Sequence, residues 1–239
     1  MTNNSILLEI SVESASGAAA AEHGGANRIE LCANLNVGGV TPSAELMRET
    51  RKAVCAPIFV MIRPRGGDFA FSAEEFSAMM RDVEIAKSCR MDGVVFGILH
   101  ADRTVNLERT RELVEAAKPL PVTFHRAFDE TPDLQAALEA VIAAGATRIL
   151  TSGGKPNADA GASVLAELMK ATAGRITILP GGGINARNLE AVVRVTGACE
   201  IHSGLGTSLP YGKSGAVEFE SAVRELAEIL REIELATPR

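Results

Sequence analysis

Phe124-His125-Arg126-Ala127-Phe128-Asp129 sets an imidazole, a guanidinium and a carboxylate close together, directly after the apolar run Leu120-Pro121-Val122-Thr123. Such groups can hold an anion and move a proton, and in a barrel of parallel strands chemistry sits where a strand breaks into its loop. Other strand candidates carry polar residues in the same way. Side chains alternate along a strand, so Leu7-Leu8-Glu9-Ile10-Ser11 turns Leu8 and Ile10 to one side and Glu9 and Ser11 to the other. The same parity turns Glu30 and Cys32, then Phe59, Met61 and Arg63, then Thr123 and His125, then Glu200 and His202 inward. A buried carboxylate needs a partner, and Arg63 and His125 are the natural partners for Glu9 and Glu30. Convergent titratable groups mark a site more often than a core. The catalytic candidates are therefore Glu9, Glu30, Arg63, His125, Arg126, Asp129 and His202.

Glycine-rich turns add a second kind of chemistry. Pro180-Gly181-Gly182-Gly183-Ile184-Asn185 follows a strand candidate and opens a helix, so its backbone N–H groups can approach an anion closely. Ser203 and Gly204 follow the last strand with similar chemistry, and Ser152-Gly153-Gly154-Lys155 can supply a third wall. A phosphate site built from Ser152, Gly153, Gly154, Gly181, Gly182, Gly183, Ser203 and Gly204 is the expectation. Lys155 reads as a solvated loop lysine, because nothing local would lower its pKa.

Positioning these residues takes a repeated frame. Short β-rich runs begin near Leu7, Arg28, Ile58, Gly93, Val122, Arg148, Ile176 and Cys199, and Ala-rich amphipathic stretches separate them. Eight such units predict a single-domain (β/α)8 TIM-type barrel over residues 1–239, with its core at about 7–206. Ser72 and Glu75 form a capping-box pattern, and Pro42 and Pro132 sit where a first helical turn tolerates proline. His23-Gly24-Gly25-Ala26, Ala144-Gly145-Ala146 and Thr196-Gly197-Ala198 each read as a helix end just before a strand, with glycine supplying the left-handed C-cap. Residues 207–215 read as a loop, either a lid or a subunit contact. The stretch 216–235 reads as a closing helix with Val217, Val223, Leu226 and Leu230 toward the core.

Composition removes several classes of function. Aromatic residues make up 4%, with no Trp, and the net charge is −6, so neither base stacking nor general attraction to nucleic acid or acidic membranes is expected. No apolar run approaches a membrane span, and the amino terminus lacks a signal-peptide pattern. Four cysteines without a Cys-x-x-Cys pair argue against disulfides and zinc, and for a cytoplasmic, reducing location.

Five segments together resemble the CutC copper homeostasis family: Ile29-Glu30-Leu31-Cys32, Gly38-Gly39-Val40-Thr41-Pro42-Ser43, Ile62-Arg63-Pro64-Arg65-Gly66-Gly67-Asp68-Phe69, Thr123-Phe124-His125-Arg126-Ala127-Phe128-Asp129 and Ile149-Leu150-Thr151-Ser152-Gly153. The resemblance implies a cytosolic barrel that forms homodimers or larger homo-oligomers, a link to copper tolerance, and Cu(I) binding through cysteine. Members often carry Cys where this chain has Ser11, which leaves Cys32 as the metal ligand. Read from its residues alone, the same mouth suits an enzyme or binding protein for a small anionic, phosphorylated metabolite. There His125 would act as general acid/base, with Glu9 or Glu30 setting its protonation. Both readings stand at this point, beside a scaffold role that uses neither.

Overall fold

Eight apolar runs form the strands β1 (Leu7–Val12), β2 (Arg28–Leu31), β3 (Ile58–Met61), β4 (Gly93–Phe96), β5 (Val122–Phe124), β6 (Arg148–Thr151), β7 (Thr177–Pro180) and β8 (Glu200–Ser203). Between and after them run the helices α1 (Ala15–Gly24), α2 (Ala44–Ala53), α3 (Ala73–Ser88), α4 (Leu107–Ala117), α5 (Leu134–Ala144), α6 (Ala162–Thr172), α7 (Leu189–Thr196) and α8 (Ala216–Ala236). This computed structural model describes residues 5–205 and 216–236. The expected loop at 207–215 therefore lies outside the described residues. All paired strands are parallel, in the order β7-β6-β5-β4-β3-β2-β1-β8, and β7 lies beside β8 to bring the barrel close to closure. No described helix is long and apolar enough to cross a membrane.

Alternation splits each strand between two cores. Ile10, Ile29, Val60, Val94, Phe96 and Phe124 point outward and pack under the helices, all fully buried. Each such side chain contributes roughly 1.5–3 kcal/mol. Cys32, Leu35, Phe59, Met61 and Val95 form a separate, smaller cluster. Polar side chains fill the rest of the lumen.

The helix ends follow local chemistry. Ser72 and Glu75 make the reciprocal capping box, and Gly25, Gly145 and Gly197 take the left-handed C-cap conformation. Pro42 and Pro132 fall outside the first helical turn, one residue before the caps Ser43 and Asp133. The side-chain oxygens of those caps accept the first helical N–H groups. Val217 is 81% exposed, against the expectation, while Phe219, Val223, Leu226, Leu230 and Ile233 are buried. The 4,3,4,3 spacing of those five defines the inner face, and Val217 lies two residues, about 200°, out of phase with it.

One close approach fixes the β6–α6 turn. A Cβ added at Gly161 would lie 1.9 Å from the backbone oxygen of Ser152. Gly161→Ala is expected to cost at least about 1–3 kcal/mol in urea unfolding, because neither chain segment can give way cheaply.

Candidate functional site

The barrel floor is a charged lattice around an aromatic ring. Arg28 Nη2 donates to Glu200 Oε2 at 2.7 Å, and Arg148 donates to both Glu200 oxygens at 2.6 and 3.0 Å. The Arg28 and Arg148 guanidinium carbons lie 4.8 and 5.3 Å from the centre of the Phe59 ring. Arg28 also pairs with Glu9 through Nε. Burial alone would raise the Glu9 carboxyl, but the Arg28 charge and the His202 hydrogen bond outweigh it and hold Glu9 at about 2. Glu9 is thus a fixed carboxylate.

Above that floor, His202 links two carboxyl groups. Its Nδ1 lies 2.7 Å from Glu9 Oε1, and its Nε2 lies 3.9 Å from Glu30 Oε2. Burial pushes the imidazolium of His202 down, yet Glu30 and Glu9 more than reverse this, so its pKa is raised. Burial raises the carboxyl of Glu30 too, and Glu9 adds to that rise. Glu30 Oε1 has no hydrogen-bond partner. The pair His202–Glu30 therefore competes for a proton over a fixed Glu9 anion, which suits proton transfer between the two. Glu9, Glu30 and His202 also bring ligand atoms within 4.8 Å of one another, as a cation site would. The Arg28 cation on Glu9 and the raised pKa of Glu30 work against that use.

These residues open upward into a cavity of about 590 Å³ at the carboxyl ends of the strands. That is the size of a metabolite pocket. Glu30, Arg63, His125, Arg126 and His202 all line it, as do Gly182, Gly183, Ile184 and Gly204. Ser11 and Glu130 line it as well, and Glu130 is a residue the strand parity could not reach, because it closes the short 3-10 turn Arg126–Glu130.

The amides of Gly182, Gly183 and Ile184 have no acceptor among the described residues. The Arg126 guanidinium packs 3.1 Å from where a Gly182 Cβ would stand. Arg126 Nε donates to Asp129 at 2.8 Å and Nη2 to Ser152 Oγ at 2.9 Å, which fixes the guanidinium beside the free amides. Three adjacent N–H donors and a cation form a ready anion cradle.

A family model described as the CutC family matches residues 6–207. The chain belongs to the CutC family. It is 45% identical to the copper homeostasis protein cutC homolog of Homo sapiens over 83% of this chain and 73% of that one. It is 43% identical to a CutC family protein of Chromobacterium violaceum, covering 92% of this chain and 91% of that one. The crystal structure of CutC from Streptococcus agalactiae superposes with a TM-score of 0.79 at 32% identity, covering 83% of this chain and 98% of that one. Thiamine phosphate pyrophosphorylase from Pyrococcus furiosus, at 20% identity and a TM-score of 0.64, shares the barrel fold.

Against this CutC frame, the expected ion pairs change partners. Glu9 and Glu30 meet Arg28 and His202 rather than Arg63 and His125. Register explains it, since Glu9 lies opposite Arg28 on β2 and His202 on β8. Arg63 instead donates to the carbonyls of Val37, Gly39 and Gly67 at 3.0, 3.2 and 2.6 Å. Asp129 does not line the cavity. Its oxygens accept from Arg126, the Thr151 hydroxyl, the Ser152 amide and hydroxyl and, at 2.9 Å, the Gly154 amide. The Gly153 amide donates to Thr151 Oγ1 at 2.8 Å. Ser152, Gly153 and Gly154 thus hold the β6 turn onto Asp129 and have spent the groups an anion would need. Gly181 wedges against Leu150 and His202, and Ser203 Oγ donates to the Ile184 carbonyl at 2.7 Å.

Cys32 is fully buried, with its thiol 3.6 Å from Glu30 Oε2, and it does not line the cavity. Burial pushes the thiol well above its ordinary range, and the Glu30 carboxyl pushes it further. Cu(I) needs thiolate or another soft donor. Among the described residues Cys32 belongs to no group of three or more ligating side chains. This donor set does not fit Cu(I). All four cysteines are free.

Proposed function

We propose that the barrel mouth binds a small phosphorylated metabolite and shuttles a proton on it, next to a carbonyl. The observation that carries this reading is the cradle of free amides at Gly182, Gly183 and Ile184 beside Arg126, in the same cavity as the His202–Glu30 pair. The phosphate group sits on the cradle, and His202 and Glu30 exchange the proton. His125, the acid/base candidate of the sequence, is assigned a different part: burial and then the Arg63 charge hold it at about 3, so it stays neutral and does not serve as a base. Reducing cytoplasm and a homo-oligomeric assembly belong to the same proposal; the four free cysteines support the first.

Inorganic phosphate is the direct probe. At one hundred times its dissociation constant it stabilises the protein by about 2.7 kcal/mol. In a thermal melt that is a rise of roughly 5–10 °C for a domain of this size. Arg126→Gln is expected to weaken phosphate by about tenfold or more, as loss of a charge-assisted hydrogen bond does. A folded protein whose melting point ignores phosphate and a panel of phosphate esters at millimolar levels would defeat the reading.

Copper handling is the second reading, favoured by the name of the Homo sapiens relative. It is separable from the first. Titration with Cu(I) under reducing conditions is expected to give the same stoichiometry for wild type and Cys32→Ser. Loss of one equivalent in Cys32→Ser would establish the copper reading at that thiol.

A further inference from the structure

We infer that Arg63 and His125 form a second subsite, for a planar oxygen, carbonyl or carboxylate, on the same phosphorylated ligand. This inference rests on the phosphate reading above and names what the rest of the molecule must carry.

Two buried N–H donors, on side chains that line this cavity, have no acceptor among the described residues. His125 Nδ1 accepts the Ala127 amide at 3.2 Å, which places the ring proton on Nε2. That Nε2 has no hydrogen-bond partner among the described residues. The ring cannot turn away to find one. A Cβ at position 97 would lie 2.6 Å from it, so it fills the space left by Gly97, and Phe69 covers it at 4.8 Å between ring centres. Arg63 spends Nη1 and Nη2 on three backbone carbonyls and leaves Nε without a partner. Its guanidinium carbon lies 4.6 Å from the centre of the same Phe69 ring. Both residues are 4% exposed.

Arg28 and Arg148 on the barrel floor end on carboxylates. Arg63 ends on carbonyls, and so keeps its positive charge for the cavity. A neutral imidazole N–H beside a cation suits an oxygen that gains negative charge as a neighbouring C–H loses its proton. The two donors lie on the β3 and β5 side of the mouth, whereas the free amides lie on the β7 loop. The ligand class follows: a phosphate ester with an sp² oxygen at its other end and an acidic carbon between.

Calorimetry with matched pairs tests this. Phosphoglycolate is compared with ethyl phosphate, dihydroxyacetone phosphate with glycerol 3-phosphate, and erythrose 4-phosphate with erythritol 4-phosphate. At least one oxidised member should bind at least about tenfold more tightly than its partner, as buried donors left unpaired demand. His125→Phe should remove that preference and Arg63→Met should reduce it, each leaving the affinity for inorganic phosphate unchanged, which also certifies the fold. If inorganic phosphate binds but no pair differs by more than about twofold, the second subsite is wrong and the phosphate reading survives. A preference that persists in both variants overturns it equally. If inorganic phosphate does not bind, the underlying reading fails and takes this one with it.

Discussion

Arg28→Met should cost about 3–5 kcal/mol of folding stability, because it leaves a buried carboxylate without its cation. Arg28 and Glu9 are 3% and 1% exposed at their side chains, so water cannot replace the lost partner. Glu200 retains Arg148, but Glu9 keeps only His202. In a domain of this size the melting temperature should fall by roughly 10 °C. Adding Glu9→Gln to Arg28→Met should recover most of the loss, since a neutral amide still accepts from His202 without carrying a buried charge. The change also reaches the cavity. The Arg28 cation opposes protonation of His202, so its removal should move the His202 titration to higher pH, readable from the ring protons by NMR. A loss below ~1 kcal/mol, the scale of an exposed pair, would mean that the floor lattice is not a true charge network.

That lattice also marks where the sequence stops being readable. Alternation along single strands is a period of two, and it placed Glu30, Arg63, His125 and His202 around one cavity with Glu9 beneath them. Partner choice is a different matter, because it depends on the lateral register between strands. Arg28 and Arg148 share the inward parity of Glu30 and Leu150, yet an arginine at the first position of a short strand reads as a solvated turn residue. Only the pairing of Glu9 with Arg28 across β1 and β2 shows it to be interior. The signal was available in the i, i+2, i+4 series Arg28, Glu30, Cys32. The glycine turns show the same limit. Gly153-Gly154 and Gly182-Gly183 look alike as strings, but Asp129 consumes the first pair's turn and no described residue consumes the amides of the second. That distinction needs a carboxylate arriving from the neighbouring β5 turn, information a local motif does not hold.

Acid should unfold this protein steeply, at a pH set by two buried groups. His125 falls from an ordinary 6.5 to about 3 through burial and Arg63. The unfolded chain therefore takes up a proton below pH 6.5 that the folded one refuses until about 3, and stability declines through that window. Burial opposes the charge of Glu9, but Arg28 and His202 still bring it from 4.5 to about 2. Its contribution is complete above 4.5 and disappears between 4.5 and 2. The raised groups run the other way. His202 stabilises most below 6.5 and loses that contribution as pH rises through its folded pKa. Glu30, also raised, favours the fold as pH falls toward 4.5. Between 6.5 and 4.5 the Glu30 trend opposes that of His125. Below 4.5 only His125 and Glu9 among the four still change, both unfavourably. Their combined proton uptake peaks just under two, a slope of about 2 kcal/mol per pH unit, and the lowered carboxyl of Glu200 adds in the same direction. From pH 4.5 to 3 the two groups together should remove roughly 3 kcal/mol, a large part of a typical domain's stability. Urea unfolding at half-unit steps reads the slope, and His125→Phe should lower it clearly by removing the His125 proton. A slope corresponding to less than about one proton would show that neither group is held as described, and the neutral His125 on which the second subsite depends would go with it.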